Sequence, residues 1–156
     1  MLTTAHLEKF RRLDGMTARL DPETDWELWI WTAMNAATHL LNAALHHARV
    51  TQEIDSFHSQ VEGLYCVPNR NTGELLDAMH APGDVMHFGQ PRLSGDIPPA
   101  IERAGAALKV IQDLRGPYVR GNDPIPCGAP QRWQSAYREC VAQLFSVLGV
   151  RLGEAE

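Results

Sequence analysis

Apolar residues recur every three to four positions along four stretches of the chain, which is the spacing of an amphipathic helix. These stretches cover about Thr4–Arg19, Asp21–Ala48, Asp96–Leu114 and Pro130–Leu148. No stretch alternates in the manner of a strand, and no internal repeat is visible. The pattern predicts an all-α protein: an antiparallel helical bundle of four main helices, with one or two short extra helices and two long loops. We expect residues 1–156 to form a single domain of this kind.

Proline, glycine and aspartate mark the expected helix boundaries. Asp21 precedes Pro22, which predicts a capped start for the second helix. Asp96 is expected to cap the third helix, and Gly116-Pro117 to end it. Gly149 is the expected terminator of the fourth.

The second helix has an unusual composition. From Leu28 to Ala48 it contains no Asp, Glu, Lys or Arg, and this stretch is about as long as a membrane span. Its amide, hydroxyl and imidazole side chains would be costly in hydrocarbon, so we expect a buried or interfacial helix of a soluble protein instead. Opposite its apolar stripe lies a line of uncharged polar residues: Thr32, Asn35, His39, Asn42 and His46.

This polar line has three interpretations. Its members are polar groups of no functional consequence, a contact between identical subunits, or the lining of a ligand or catalytic pocket. The candidates for a pocket or an interface are Trp31, Asn35, His39, Asn42 and His46. His39 and His46 are separated by roughly 10 Å along the helix axis, so these two alone do not share a metal ion.

A second pattern is an aspartate three residues before a histidine, which brings a carboxylate and an imidazole to one side of a helix. It occurs at Asp55/His58, Asp77/His80 and Asp84/His87. Carboxylate and neutral imidazole suit Zn, Fe or Mn, and an open coordination position could activate water. These pairs are either local surface ion pairs and helix-cap contacts or parts of a metal site. In the second case, the candidate ligands for a metal-dependent hydrolase or oxidase are Asp55, His58, His80, Asp84 and His87. The long connection from Ala81 to Gly95 is expected to border the functional site.

The net charge and the cysteine content limit the classes of partner and the cellular compartment that the sequence favours. The net charge of -5 disfavours nucleic acid and anionic membranes, and three widely spaced cysteines indicate a reducing, cytoplasmic environment. Nothing resembles a signal peptide, and the preference for Arg over Lys is typical of a GC-rich bacterial genome. No known catalytic motif is present. The leading hypothesis is a non-catalytic, homodimeric binding or regulatory protein without an evident cofactor, to which a small-molecule ligand could bind.

The order of the helices is similar to that of HEPN helical bundles, many of which are ribonucleases. The similar features are the long, polar-lined second helix and the loop that contains His87 before the next helix. The Arg-x4-6-His spacing of that family is absent, since Arg70 lies ten residues before His80 and no Arg precedes His87 at that distance. The resemblance implies a HEPN-like architecture that lacks the nuclease motif.

Overall fold

The computed structural model describes residues 1–53, 96–121 and 123–149, and within these ranges it contains helices and no strand. The helices are α1 (Thr3–Thr17), α2 (Trp26–His47), α3 (Pro99–Leu114) and α4 (Ala129–Leu148). A π-helical segment, Arg115–Arg120, follows α3 directly.

Helices that follow one another in the chain pack side by side in opposite directions. His6, near the start of α1, meets His39 in the second half of α2. Arg103 in the first half of α3 donates a hydrogen bond to Gln143, near the end of α4. α2 packs against α1, α3 and α4 and is therefore the central helix. The prediction of an all-α antiparallel bundle is confirmed for the part of the chain that the structure describes.

The core lies between the apolar stripes that the sequence predicted. Trp29 of α2 stacks on Trp133 of α4, with ring centroids 6.2 Å apart, and Tyr137 meets Trp29 edge-on at 5.8 Å. On the far side of the core, Phe10 and Phe145 form a second edge-to-face pair at 5.5 Å. These contacts join α1, α2 and α4 in one apolar cluster.

Small side chains allow α2 to pack closely on several sides. Five of its alanines are completely buried: Ala33, Ala36, Ala37, Ala43 and Ala44. The expectation of a buried helix is met, and no helix in the described ranges has the length and apolar character needed to cross a lipid bilayer.

The start of α2 differs from the prediction. Asp21 does not cap the helix, because its Oδ1 accepts the N–H of Glu23 at 2.8 Å and its carbonyl accepts the N–H of Asp25 at 2.7 Å. These bonds close a turn, and α2 begins only at Trp26. Short acidic side chains stabilise such turns as readily as helix starts, so the local pattern did not separate the two.

The end of α3 also differs. Gly116-Pro117 was expected to stop the helix, but the chain continues as the π-helical segment, in which the N–H of Gly121 reaches the carbonyl of Gly116 at 3.0 Å. Pro117 has no N–H to donate to the carbonyls of the preceding turn, and the helical ladder changes its hydrogen-bond pattern at this point. The predicted end of α4 is confirmed, since Gly149 adopts a left-handed φ of 70°.

Candidate functional site

Three histidines meet where the start of α1 packs against the last turns of α2. His6 comes from α1, and His39 and His46 come from α2; together they are called the histidine cluster. The Nδ1 atoms of His6 and His39 are 2.9 Å apart. The ring centroid of His6 lies 5.2 Å from that of His39 and 5.4 Å from that of His46. His6 is 1% exposed and His46 6%, so the cluster is largely shielded from water.

Helix geometry explains this arrangement. His39 and His46 are two turns apart on one face of α2, too far for direct contact. A side chain from an antiparallel neighbouring helix can lie between them, and His6 takes that place. His6 therefore lies between His39 and His46, which by themselves are too far apart to share a metal ion.

The short contact between His6 and His39 restricts their protonation. A neutral imidazole has one donor nitrogen and one acceptor nitrogen, and a charged one has two donors. At 2.9 Å the two Nδ1 atoms either share one proton in a hydrogen bond or direct both lone pairs at one cation. Two protonated nitrogens facing each other would repel.

The chain that leaves α2 returns to the cluster. Arg49 takes a left-handed φ of 59°, and the N–H of Val50 bonds back to the carbonyl of Leu45 at 3.0 Å. The Thr51 hydroxyl then lies 2.7 Å from Nδ1 of His46, and both residues are buried. Two residues later, Oε1 of Glu53 accepts the N–H of Thr3 at 2.9 Å.

The predicted polar line of α2 does not form one surface. Thr32, Asn35 and Asn42 each donate to the carbonyl four residues earlier on their own helix, at 2.7, 2.8 and 3.0 Å. Thr32 and Asn42 are buried within the chain, whereas Asn35 is exposed and Trp31 is 37% exposed. Local bonds to the backbone satisfy part of this line, and only its two histidines take part in the cluster.

The described residues contain no group of three or more His, Cys, Asp and Glu side chains arranged to hold a metal ion. Within the described residues, His6 and His39 bring two imidazole nitrogens within 2.9 Å of each other. The sequence-predicted ligands Asp55, His58, His80, Asp84 and His87 lie outside the described residues, as does the 81–95 connection. Those predictions remain predictions.

His6 was missed by the sequence analysis, although a signal for it exists. It lies four residues before Phe10 and seven before Leu13, which places it on the apolar stripe of α1. A histidine on a buried stripe needs a polar partner. The partner could not be named because the register between α1 and α2 is not a local property of either sequence.

The neighbouring His47 faces a different part of the molecule. It is exposed and lines an open groove of about 720 Å³ with the start of α3 and the end of α4. The groove includes Pro99, Arg103 and Ser146. Consecutive histidines on α2 thus have separate surroundings, and His47 serves as an internal control for the cluster.

Comparisons of the chain with models of protein families, with curated proteins and with solved structures find no match. What the chain does is therefore inferred from the chemistry of the histidine cluster.

Proposed function

We propose that this chain binds a divalent transition-metal ion, with Nδ1 of His6 and Nδ1 of His39 as two of its ligands. The observation that carries the proposal is the 2.9 Å separation of these two nitrogens in a shielded site. Histidine is the commonest metal ligand among protein side chains, and it binds as the neutral imidazole.

The separation fits a shared ion. Zinc–imidazole bonds are about 2.0–2.1 Å long, so two ligand nitrogens lie roughly 2.9 Å apart at a right angle and roughly 3.3 Å apart at the tetrahedral angle. The 2.9 Å between His6 and His39 falls at the short end of this range. The distance between the two nitrogens is therefore compatible with a shared ion that lies to one side of the line joining them.

Two imidazoles leave further coordination positions to be filled. Water or further side chains would fill them, and the carboxylates and imidazoles of the sequence-predicted candidates Asp55, His58, His80, Asp84 and His87 are suitable donor types, although these residues lie outside the described part of the chain. Such a mixed donor set suits Zn, Fe or Mn.

This function is compatible with both hypotheses drawn from the sequence. A metal-binding bundle belongs to the binding proteins, the leading hypothesis, and no catalysis is required of it. A metal ion that retains a bound water lowers the pKa of that water, which is the chemistry a hydrolase would use. The role of His6 and His39 is the same in either case: they hold the ion through neutral nitrogens.

Calorimetric titration of the metal-free protein with Zn²⁺ and Mn²⁺, and with Fe²⁺ under anaerobic conditions, tests the proposal. We expect one ion per chain for the preferred metal, with release of protons when the rings are partly protonated. His6→Ala and His39→Ala should each weaken binding by at least roughly 100-fold, more than the loss of an outer-shell partner does. His47→Ala is the matched control and should leave the affinity unchanged.

Two results would overturn the proposal. If the unmodified protein binds none of these ions, the contact between His6 and His39 is a neutral hydrogen bond only. If binding survives both His6→Ala and His39→Ala but is lost in His87→Ala, the ion belongs to the other candidates and not to this pair. Far-UV circular dichroism of each variant verifies that the helices are retained.

A further inference from the structure

The residues that follow α2 contact both sides of the histidine cluster. Thr51 bonds to His46 at one end of a three-residue segment, and Glu53 bonds to Thr3 at the other. We infer that Thr51 and Glu53 are positioning residues for the metal centre, a clasp that fixes the ring of His6 in front of His39. The contacts of Thr51 and Glu53 are observed, and their role toward a metal ion rests on the proposed metal binding.

Thr51 acts through His46. Its hydroxyl lies 2.7 Å from Nδ1 of His46, which fixes the rotation of that ring. The ring of His46 in turn packs on the ring of His6 at a tilt of 48°. His6 thus has one imidazole on each side, and its orientation depends on both. Thr51, His46 and His6 are all at least nine-tenths buried, so the contacts leave little free space for rotation.

Glu53 acts through the start of α1. Thr3 is the first residue of this helix, and its N–H has no acceptor inside the helix. The Glu53 carboxylate supplies that acceptor at 2.9 Å and places a negative charge at the positive end of the helix dipole. The same hydrogen bonds to Thr3 lower the pKa of Glu53 below its usual value. His6 follows three residues later, roughly 4.5 Å along the helix axis.

The contact between Glu53 and Thr3 ties the residues after α2 to the start of α1, and the contact between Thr51 and His46 holds those residues against the end of α2. Leucine and alanine contacts between helices allow small sliding movements, whereas a hydrogen bond restricts distance and direction. The clasp therefore keeps the two Nδ1 atoms at a separation that an ion can bridge. Groups that hydrogen-bond a ligating side chain commonly contribute roughly 10–100-fold to metal affinity, and Thr51 and Glu53 each act one contact further from the metal, so their contribution should be smaller.

The variant Thr51→Val tests the clasp, because it keeps the shape of the side chain and removes the hydroxyl. We expect an affinity for the preferred metal that is weaker by up to roughly 10-fold, with an unchanged stoichiometry of one, because Thr51 acts one contact further from the metal than a direct partner of a ligand. Thr51→Ser retains a hydroxyl and should restore the affinity. The control for the loss of a buried hydroxyl is Thr17→Val, because Thr17 is a buried threonine at the opposite end of α1. This variant should bind the metal as tightly as the unmodified protein does.

Glu53 is tested by the pair Glu53→Gln and Glu53→Ala. The amide keeps an acceptor for Thr3, so Glu53→Gln should bind metal better than Glu53→Ala. Both effects should be smaller than that of Thr51→Val, because Glu53 is exposed and its charge is screened by solvent.

A second readout uses the metal-free protein and separates this inference from the proposed function. Imidazole ¹⁵N signals of His6 and His39 should shift or broaden in Thr51→Val and return in Thr51→Ser, since the rings lose and regain their support. Unchanged signals together with unchanged affinity in Thr51→Val would overturn the clasp while leaving metal binding intact. Shifted signals in a protein that binds no metal would retain the clasp and overturn the proposed function.

Discussion

At the residue scale, the imidazole rings of His39 and His46 both pack against that of His6. The sequence drew attention to His39 and His46 because they are uncharged residues on a helix that lacks ordinary surface charges, and a functional role for them stays a prediction. Their contact with His6 depends on how two helices align, which no spacing along one helix determines. Thr32 and Asn42 were harder to interpret, because each donates a hydrogen bond to the backbone of its own helix, which helps to satisfy a buried polar side chain.

The buried thiol of Cys140 gives a prediction about pH. Burial is the main cause that raises its pKa from about 9 to about 12, and the nearby Glu139 adds to the shift. A thiol whose pKa is raised by folding stabilises the protein fully at pH values below the pKa of the unfolded state. That contribution is lost as the pH rises from about 9 towards about 12.

We therefore expect the free energy of unfolding to fall more steeply above pH 9 in the unmodified protein than in Cys140→Ala. The difference in slope approaches about 1.4 kcal/mol per pH unit, the value for one proton. Urea denaturation under reducing conditions at several pH values measures it. Tyr137 is present in both proteins, and its pKa is raised mainly by burial and by the nearby Asp14, with a smaller effect from Cys140, so most of its contribution cancels. Parallel profiles would contradict the assignment.

At the element scale, the four main helices were predictable because their apolar stripes extend over several turns. The errors lie at the ends, where one or two residues carry the whole signal: at Asp21, at Asp96, which lies three residues before the start of α3, and at Gly116-Pro117. Asp21 serves a turn instead of a helix, and Pro117 is accommodated in a π-helical turn. In both places tertiary packing determines which of two locally acceptable structures forms.

The alanines of α2 provide the test at this scale. Ala37→Leu adds a branched side chain at a position with no exposed surface, which should lower the free energy of unfolding by roughly 1–3 kcal/mol. Ala106→Leu is the control, since Ala106 is exposed on α3 and leucine has a similar helix propensity. Chemical denaturation of both variants gives the comparison, and equal stabilities would show that α2 is less tightly packed than the structure indicates.

At the scale of the whole molecule, the bundle architecture was predictable, and the histidine cluster was only partly so because His6 was not among the candidates. The candidate pocket or interface residues from the sequence all lie on α2, which is the central helix of the bundle. The histidine cluster and its contacts come from α1, α2 and the residues that follow α2, and folding alone brings these parts of the chain together.

The homodimer remains a prediction, and the structure indicates which exposed face of α2 to change in order to test it. Leu28, Trp31 and Asn35 lie at helical spacing on α2 and are all exposed, so this uncharged face is the region to disrupt. Asn35→Glu should dissociate the dimer and retain helicity, because like charges then meet across a two-fold contact. Asn42 is unsuitable for this purpose, since it is 2% exposed and a charge there would weaken the fold.

Sedimentation velocity at high micromolar concentration measures the association. Ser135→Glu, which adds the same charge at an exposed position of α4, should sediment as the unmodified protein does. An unmodified protein that is wholly monomeric would contradict the dimer, and a dimer that persists in Asn35→Glu would place the contact on another face.

The central claim is that His6 and His39 together hold a metal ion. Elemental analysis of protein purified without chelator tests it most directly, with the double variant His6→Ala/His39→Ala and the control His47→Ala prepared in parallel. We expect close to one equivalent of a transition metal in the unmodified protein and in the control, and less than about a tenth of an equivalent in the double variant. Equal metal contents in all three proteins, or no metal in any of them even after incubation with Zn²⁺, Fe²⁺ or Mn²⁺, would contradict the claim.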